Sequence, residues 1–451
     1  MSAENLHRMT SGNIAWNLIR FALPALGGHL LISLYGAADV FIVSYFADSA
    51  TLAATATGAQ AIFTLMALAI GLMMGGSILI GQYFGAKREH EVTQTVSTFF
   101  TLLAGLGIAC SVFMIIFAKY ITDWLQTPPE AWRGAYHYIL ICGGGMFLLF
   151  IYEGISAALR GLGDSKNPMK FIAVACCVNI ILDLLFIGAF HWGAAGAAIA
   201  TVLAQTISAG IAIAYLRKKN FIFDFKIKNF KIIPEKAKTI LKLGIPAAIQ
   251  QTFIFMSFTI MTVAVNKLGV TESAVLGISH RIDGFMIMPS LAFGGAVSVM
   301  AAQNMGAKLI TRAKHTFYTG FLLTLFFAIP SFIIMYYYPE LMIRVANSDP
   351  KIIKAGAEFI LAYSPDCLLI PLVFCINGFL NGCGRTKFTM VNNVASSAGI
   401  RVPFILLGKD LFQIGLSMPF STVPQLMVAI GYFYSGRWKK PLISNRRSEQ
   451  P

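Results

Sequence analysis

The sequence is short of charge: of 451 residues only 12% are Asp, Glu, Lys or Arg. That is about half the share found in an ordinary soluble domain, so a water-facing surface of normal polarity is excluded. Cysteine is sparse as well. Cys110, Cys142, Cys176, Cys177, Cys367, Cys375 and Cys383 all fall in or beside apolar stretches without metal-ligand spacing. They read as small interior residues, and neither a disulfide framework nor a metal centre is expected. No P-loop or Walker-type motif appears, which argues against ATP-driven work within this chain. No segment alternates apolar and polar residues over about ten positions, as strands of a membrane barrel do. A glycine period is absent, and the abundance of apolar residues rules out a disordered chain.

What is present is apolar: 57% of the residues are hydrophobic, and the mean hydropathy is +0.70. A helix needs roughly 20 apolar residues to cross a bilayer. Twelve such spans are expected, near residues 17–46, 52–84, 93–120, 133–158, 169–190, 194–216, 240–267, 273–305, 315–338, 354–380, 389–408 and 415–436. The fold class is an all-α polytopic membrane protein. The first apolar run continues past Asp39 and is long enough to span by itself, so it reads as a span and not as a cleaved signal peptide.

The net charge of +15 would suggest nucleic acid in a soluble protein, but here its placement decides. If the N-terminus is cytoplasmic, inner segments hold 25 of the 35 Lys and Arg, from Arg8 through the 217–238 linker to Arg447. The outer segments hold only seven: Lys119, Arg133, Lys267, Arg344, Lys351, Lys354 and Lys409. This asymmetry is the positive-inside signal of a multi-pass plasma (inner) membrane protein with both termini in the cytoplasm. No nucleic-acid partner is expected.

The two halves repeat. Gln82 to Lys87 (QYFGAK) matches Gln303 to Lys308 (QNMGAK) at an offset of 221, which also maps Pro129 onto Pro350, Gly161 onto Gly382 and Gly163 onto Gly384. Six spans per half is an even number, so both halves enter the membrane in the same sense, as parallel repeats. The expected organisation is an N-lobe at 1–216, a basic cytoplasmic linker at 217–238, a C-lobe at 239–440 and a tail at 441–451. The linker mixes basic and aromatic residues and reads first as a solvated inner loop, with contact to anionic headgroups as the alternative.

Ionisable groups inside a bilayer cost several kcal/mol, so each calls for a reason. Asp39 lies in the first span, Glu153 in the fourth, Asp183 in the fifth, and Arg281 with Asp283 in the eighth, while Asp366 and Arg401 fall nearer the ends of the tenth and eleventh. Asn179 and Asp183 are four apart, so they share a helix face and are placed to ligate one ion or share a proton network. Glu153, Ser156 and Arg160 share another face. Asp39 and Asp183 have no acidic counterpart in the second half, where Ile260 or Met261 and Phe404 or Ile405 stand. An architectural pair would recur in both halves, whereas a coupling site needs to exist only once. His29 and His280 read as interior histidines. Arg281 and Asp283 are two apart, point to different sides of one helix, and find partners elsewhere. Tyr35, Gln250 and Gln251 join Glu153, Arg281 and Asp283 as candidates for substrate contact or gating. Pro24 and Pro246, early in the first span of each half, are candidate hinges because proline removes a helix hydrogen bond.

Several segments together resemble the MATE (multidrug and toxic compound extrusion) family. They are LPALGGHLLISLYGAADVFIVSYF, GQYFGAK, ALRGLGDSKNPM, NIILDLLFIGAFHWGAAGAAIAT, HRIDGFMIMP and AAQNMGAK, and the likeness extends over both halves. The resemblance implies a V-shaped, two-lobed, monomeric exporter that exchanges cationic or amphipathic drugs for H⁺ or Na⁺, without a cofactor or a structural metal. Within the family the sequence is most similar to the DinF-like branch. By that resemblance Asp39, Asn179, Asp183 and Thr201, with Ser156 at the polar position of the fourth span, form the cation-coupling site, and Asp39 is the protonated switch. The NorM-like branch carries a Glu on the seventh span, where this chain has only Gln250 and Gln251.

Two other functions remain as alternatives. A lipid or lipid-linked oligosaccharide flippase of the same superfamily would share the fold but would carry more basic residues in its spans. A membrane-embedded enzyme would need clustered His or acid ligands, and His29 and His280 are not so placed.

Overall fold

In hydrocarbon a backbone must satisfy its own hydrogen bonds, which the helix does within each span. The computed structural model describes residues 9–219, 221–223 and 225–443. Arg8, Arg446 and Arg447, and with them the chain ends assigned to the cytoplasm, lie outside the described residues, as does most of the 441–451 tail.

The described residues form helices and no strand. In the first half these are α1 (Ile14–Phe46), α2 (Ser49–Gly85), α3 (Glu89–Trp124), α4 (Pro129–Gly144), α5 (Met146–Gly161), α6 (Lys166–Asp183) and α7 (Gly193–Lys218). In the second they are α8 (Pro234–Asn266), α9 (Val270–Gly306), α10 (Ile310–Tyr337), α11 (Pro339–Arg344), α12 (Pro350–Tyr363), α13 (Asp366–Gly382), α14 (Thr386–Ser396), α15 (Val402–Leu407) and α16 (Leu411–Tyr434). A π-helical turn, Leu184–Ala189, extends α6, and another, Ser397–Arg401, joins α14 to α15.

Ten spans are long and apolar enough to cross a membrane. The pair α4–α5 bends by 52° and the pair α12–α13 by 44°, and counting each as one span brings the total to the expected twelve. The bends are related by the repeat, because Gly145 at the first break maps at the offset of 221 onto Asp366 at the second. Pro365 contributes to the second break by withholding a backbone donor.

The repeat extends to backbone detail. Gly163 (φ 87°) and Gly384 (φ 78°) both end their helices in the left-handed region that glycine enters without penalty. The same two bonds close each end: Gly163 N to Arg160 O and Asp164 N to Leu159 O, then Gly384 N to Asn381 O and Arg385 N to Leu380 O. Lys87 (φ 58°) and Lys308 (φ 61°) do likewise at the ends of the two GAK motifs. A Cβ on Gly161 would lie 2.6 Å from the Ser77 carbonyl oxygen, and one on Gly382 would collide with that of Ser298, again 221 residues on.

Two units can be distinguished. Among the described residues, unit 1 comprises Gly27–Phe84 and Arg88–Ala248, and unit 2 comprises Met9–Leu26, Gly85–Lys87 and the chain from Ile249 onward. The start of α1 therefore belongs to unit 2, where Leu18, Phe21 and Ala22 join a core with Phe293, Met300 and Phe379. The start of α8 belongs to unit 1, where Gly71 and Gly75 of α2 let the helices approach to backbone contact: a Cβ on Gly71 would lie 2.5 Å from that of Ala248. Pro24 and Pro246 each stand within three residues of the point where their helix changes unit.

The described part of the linker is folded onto unit 1. Ile233 N donates to Thr98 Oγ1 at 3.1 Å and Lys231 N to Ser97 Oγ at 3.0 Å. Phe223 stacks on Phe100 at 5.8 Å, and the buried Lys236 ammonium is held by Glu91 and the Tyr83 hydroxyl. Lys226, Lys228 and Lys231 remain exposed.

Candidate functional site

Helical spacing brings polar groups of unit 1 together. On α1, Tyr35 and Asp39 are one turn apart and share a face, and on α6 Asn179 and Asp183 do the same. Asp183 is the last residue before the π turn, a feature that often marks functional sites because it re-aims neighbouring side chains. The Tyr35 hydroxyl and Thr201 Oγ1 on α7 are 3.2 Å apart. Asp39, Asp183 and Cys142 lie within electrostatic reach of Tyr35. The carboxyl groups of Asp39 and Asp183 interact with each other, and among the described residues no basic side chain acts on either.

Asp183 and Asn179 are buried, at 0% and 1% exposure, and Asp39 is half-buried. Both Asp183 oxygens, both polar atoms of the Asn179 amide and Asp39 Oδ1 are buried without a hydrogen-bond partner. An orphaned buried polar atom costs about 1–3 kcal/mol, and more when charged. Two facing carboxylates also repel unless a proton or another cation lies between them. The arrangement is thus short of positive charge, and its donors are hard oxygens suited to a proton or a small hard cation. Among the described residues no group of three or more His, Cys, Asp or Glu offers a metal centre.

Ser156 is on α5, buried, with its hydroxyl also unpartnered. Among the described residues no hydrogen bond joins it to Asp39 or Asp183. Glu153 and Arg160 lie two turns apart on the same helix and interact electrostatically, and His29 of α1 lies within reach of Arg160. Sequence reasoning missed Tyr138 and Cys142 of α4. Tyr138 is within reach of Asp39, Tyr35 and Cys142, and the Cys142 thiol donates to the Ala198 carbonyl at 3.7 Å. Their one signal was polarity within an apolar run.

Unit 2 holds a second cluster. Arg281 is exposed, and Asp283, half-buried on the other side of α9, accepts a hydrogen bond from the Tyr363 hydroxyl. Asp366 and Arg401 are buried, at 3% and 6% exposure, and of the two only Asp366 departs from the place near a span end that its sequence position suggested. Asp366 opens α13 at the break in its span, so it lies mid-span, and Arg401 closes the π turn within the eleventh span. Asp283, Cys367, Ser290, Ser331 and Pro371 line part of a small cavity of about 10 Å³, space for about one water. Gln250 and Gln251 on α8 are half-buried, and Gln250 Oε1 has no partner.

With this geometry in place, comparison with known proteins is direct. The family model described as MatE matches residues 24–185 and again 246–407. The chain is 29% identical over 437 residues to the probable multidrug resistance protein YpnP of Bacillus subtilis, covering 95% of this chain and 97% of that protein. It is 24% identical over 417 residues to the multidrug export protein MepA of Staphylococcus haemolyticus, covering 91% of each. Among solved structures it superposes with a TM-score of 0.89 on an outward-facing multidrug resistance MATE family transporter of the MOP superfamily. The identity there is 19%, over 96% of this chain and 98% of that one. A MOP superfamily transporter from Pyrococcus furiosus gives 0.86 at 20% identity, over 96% and 98%. The two structures share the fold.

Proposed function

Since the chain belongs to the MatE family, we propose that it is a multidrug exporter that drives efflux of cationic or amphipathic compounds by antiport of H⁺ or Na⁺. The relatives named as multidrug resistance and export proteins support multidrug export. The coupling site is the cluster of Asp39, Asn179, Asp183 and Thr201, and the observation that carries it is the set of buried, unpartnered oxygens on Asp39, Asn179 and Asp183. A cation entering there removes the repulsion between two carboxylates and completes the vacant contacts, so the loaded and empty states of unit 1 differ in energy. Tyr35 stands between Asp39 and Thr201 and passes that difference to α7.

A transporter needs the energy difference to bend something. Pro24 and Pro246, near the points where α1 and α8 change unit, are the hinge positions, each lacking one helix hydrogen bond. Loading of Asp39 from outside lets α1 repack into the shape from which the drug is expelled. The chain works as a monomer in the inner membrane, with its termini on the cytoplasmic side where basic residues concentrate.

The test is transport by purified protein in proteoliposomes. Drug addition is expected to collapse an imposed proton or sodium gradient, and the gradient that collapses names the ion. Asp39→Asn keeps the shape of the side chain and removes its charge, so it is expected to abolish coupled efflux while folded protein is recovered in normal amount. Retained efflux in that variant would sink the mechanism.

A further inference from the structure

We infer that the chain entering each hinge helix is clamped, at matching positions of the two repeats, and that these clamps are the fixed ends against which α1 and α8 bend. The inference rests on reading Asp39 as the loaded residue and Pro24 and Pro246 as the hinges.

The clamp on α1 lies within unit 2. Met9 N donates to Gln303 Oε1 at 2.9 Å, and the Met9 carbonyl oxygen lies 3.4 Å from Asn304 Nδ2. Arg312 Nη2 donates to the Ser11 carbonyl oxygen at 2.8 Å. Asn17, in the first turn of α1, donates to the same oxygen through Nδ2 at 2.8 Å. The Met9 side chain is fully buried, in the core that also takes Leu18, Phe21 and Ala22. The clamp on α8 lies within unit 1. Lys231 and Ile233 are held through their backbone N–H groups by Ser97 and Thr98 of α3. Lys236 is buried and pairs with Glu91, and its ammonium lies 4.0 Å from the centre of the Tyr83 ring. At the offset of 221, Tyr83 and Glu91 map onto Asn304 and Arg312. Glu91 and Arg312 are opposite in charge, yet each holds the entry to a hinge helix from the same place in its half. One does so through an ion pair with Lys236, the other through a bond to a backbone carbonyl.

Burial ends near each hinge. In α1, Asn17, Leu18, Phe21 and Ala22 are buried, and past Pro24 only Gly28 is buried before Ile42. In α8, burial runs from Lys236 through Ile240 and Leu243 to Ala248, two residues past Pro246, and resumes only at Ser257. A helix that is fixed up to a proline and loosely packed beyond it bends at the proline, because few contacts are lost there. The fixed end gives the bend its direction. With that end free, loading of Asp39 would shift or turn the whole helix, and the ion would enter without moving the drug.

The experiment measures drug exported per ion admitted in proteoliposomes, beside the rise in melting temperature that the ion gives in detergent. Arg312→Met removes the bond to Ser11 and keeps an apolar stem. Glu91→Gln combined with Lys236→Met removes the ion pair of the other clamp without leaving a lone buried charge. Each is expected to keep the ion-induced rise and to lower drug per ion by about fivefold or more, the size of an ordinary coupling between sites. Arg312→Lys keeps a donor for the carbonyl and is expected to recover most of that loss. A role in stability alone would lower the melting temperature and leave drug per ion at the wild-type value, and that result overturns the inference. Nitroxide probes at Ser11→Cys and at Ala37→Cys, each in a background of Cys177→Ser to remove the exposed native thiol, test it without disturbing either clamp. On addition of ion the probe at 37 is expected to change its mobility and the probe at 11 to keep it. An equal change at 11 overturns the inference, whereas no change at 37 counts against the hinge reading itself.

Discussion

Asn179 offers a stability measurement of the coupling site. Its side chain is 1% exposed and neither Nδ2 nor Oδ1 has a partner. Each orphaned atom costs about 1–3 kcal/mol, so the amide weakens the ion-free protein by about 2–6 kcal/mol. Leucine has similar bulk and no polar atom, and its branched end costs about 1–3 kcal/mol in repacking. The net expectation for Asn179→Leu is a gain of about 2 kcal/mol without ion, a rise in melting temperature of about 4–8 °C for a unit of this size. With ion the sign reverses. A ligand at a hundredfold excess over its Kd stabilises by about 2.7 kcal/mol, and the variant forfeits that increment with its ligating oxygen. The assay is thermal unfolding of the purified protein in detergent, with Na⁺ varied at constant ionic strength and then with pH varied. An ion-free Asn179→Leu that melts below the wild type, yet still rises with ion, would refute the assignment of Asn179 as an unsatisfied ligand.

Two further outcomes test packing and capping. Gly378 of α13 abuts the Gly294 carbonyl oxygen, whereas a methyl group on Gly210 of α7 would meet nothing within 4 Å. Gly378→Ala is therefore expected to destabilise by about 1–3 kcal/mol, while Gly210→Ala gains up to about 1 kcal/mol from helix propensity, and thermal unfolding separates the signs. Asp48, in the loop before α2, accepts from the Thr51 hydroxyl and from Thr51 N at 2.8 Å, which holds its carboxyl below the usual range. A lowered folded value means that the cap stabilises above the unfolded pKa of about 3.9 and is lost as pH falls through the folded one. The melting temperatures of wild type and Asp48→Ala are expected to differ at pH 7 and to converge below about pH 3.

The spans were legible because hydrocarbon imposes one solution on long apolar runs, and the repeat because one offset holds over many residues. Asp39 and Asp183 were legible as costly residues in the wrong solvent, and Asn179 by its spacing from Asp183. What the sequence did not disclose depends on neighbours distant in the chain. Tyr138 and Cys142 come into reach of Asp39 only through the packing of α4 against α7. The place of Asp366 was misjudged because its span is two helices meeting at Pro365, which puts a residue that reads as near an end at the middle. The exchange of the first parts of α1 and α8 between units leaves no trace in hydropathy, since both packing partners are equally apolar.

The division between what repeats and what does not is itself an argument about function. Packing repeats to the atom: Gly161 against Ser77 in unit 1 is Gly382 against Ser298 in unit 2, and left-handed caps fall at matching residues. Such contacts have one good solution, because any Cβ there collides with backbone, so both halves keep it. Interior charge has diverged on this shared frame. Asp39 and Asp183 of unit 1 have no acidic counterpart at the matching positions of unit 2, where Ile260 or Met261 and Phe404 or Ile405 stand. A bundle selected for stability alone would have removed the unpartnered oxygens of unit 1, since apolar residues of similar size there cost less in repacking than the orphaned atoms do. Their persistence is the reason to assign ion coupling to unit 1.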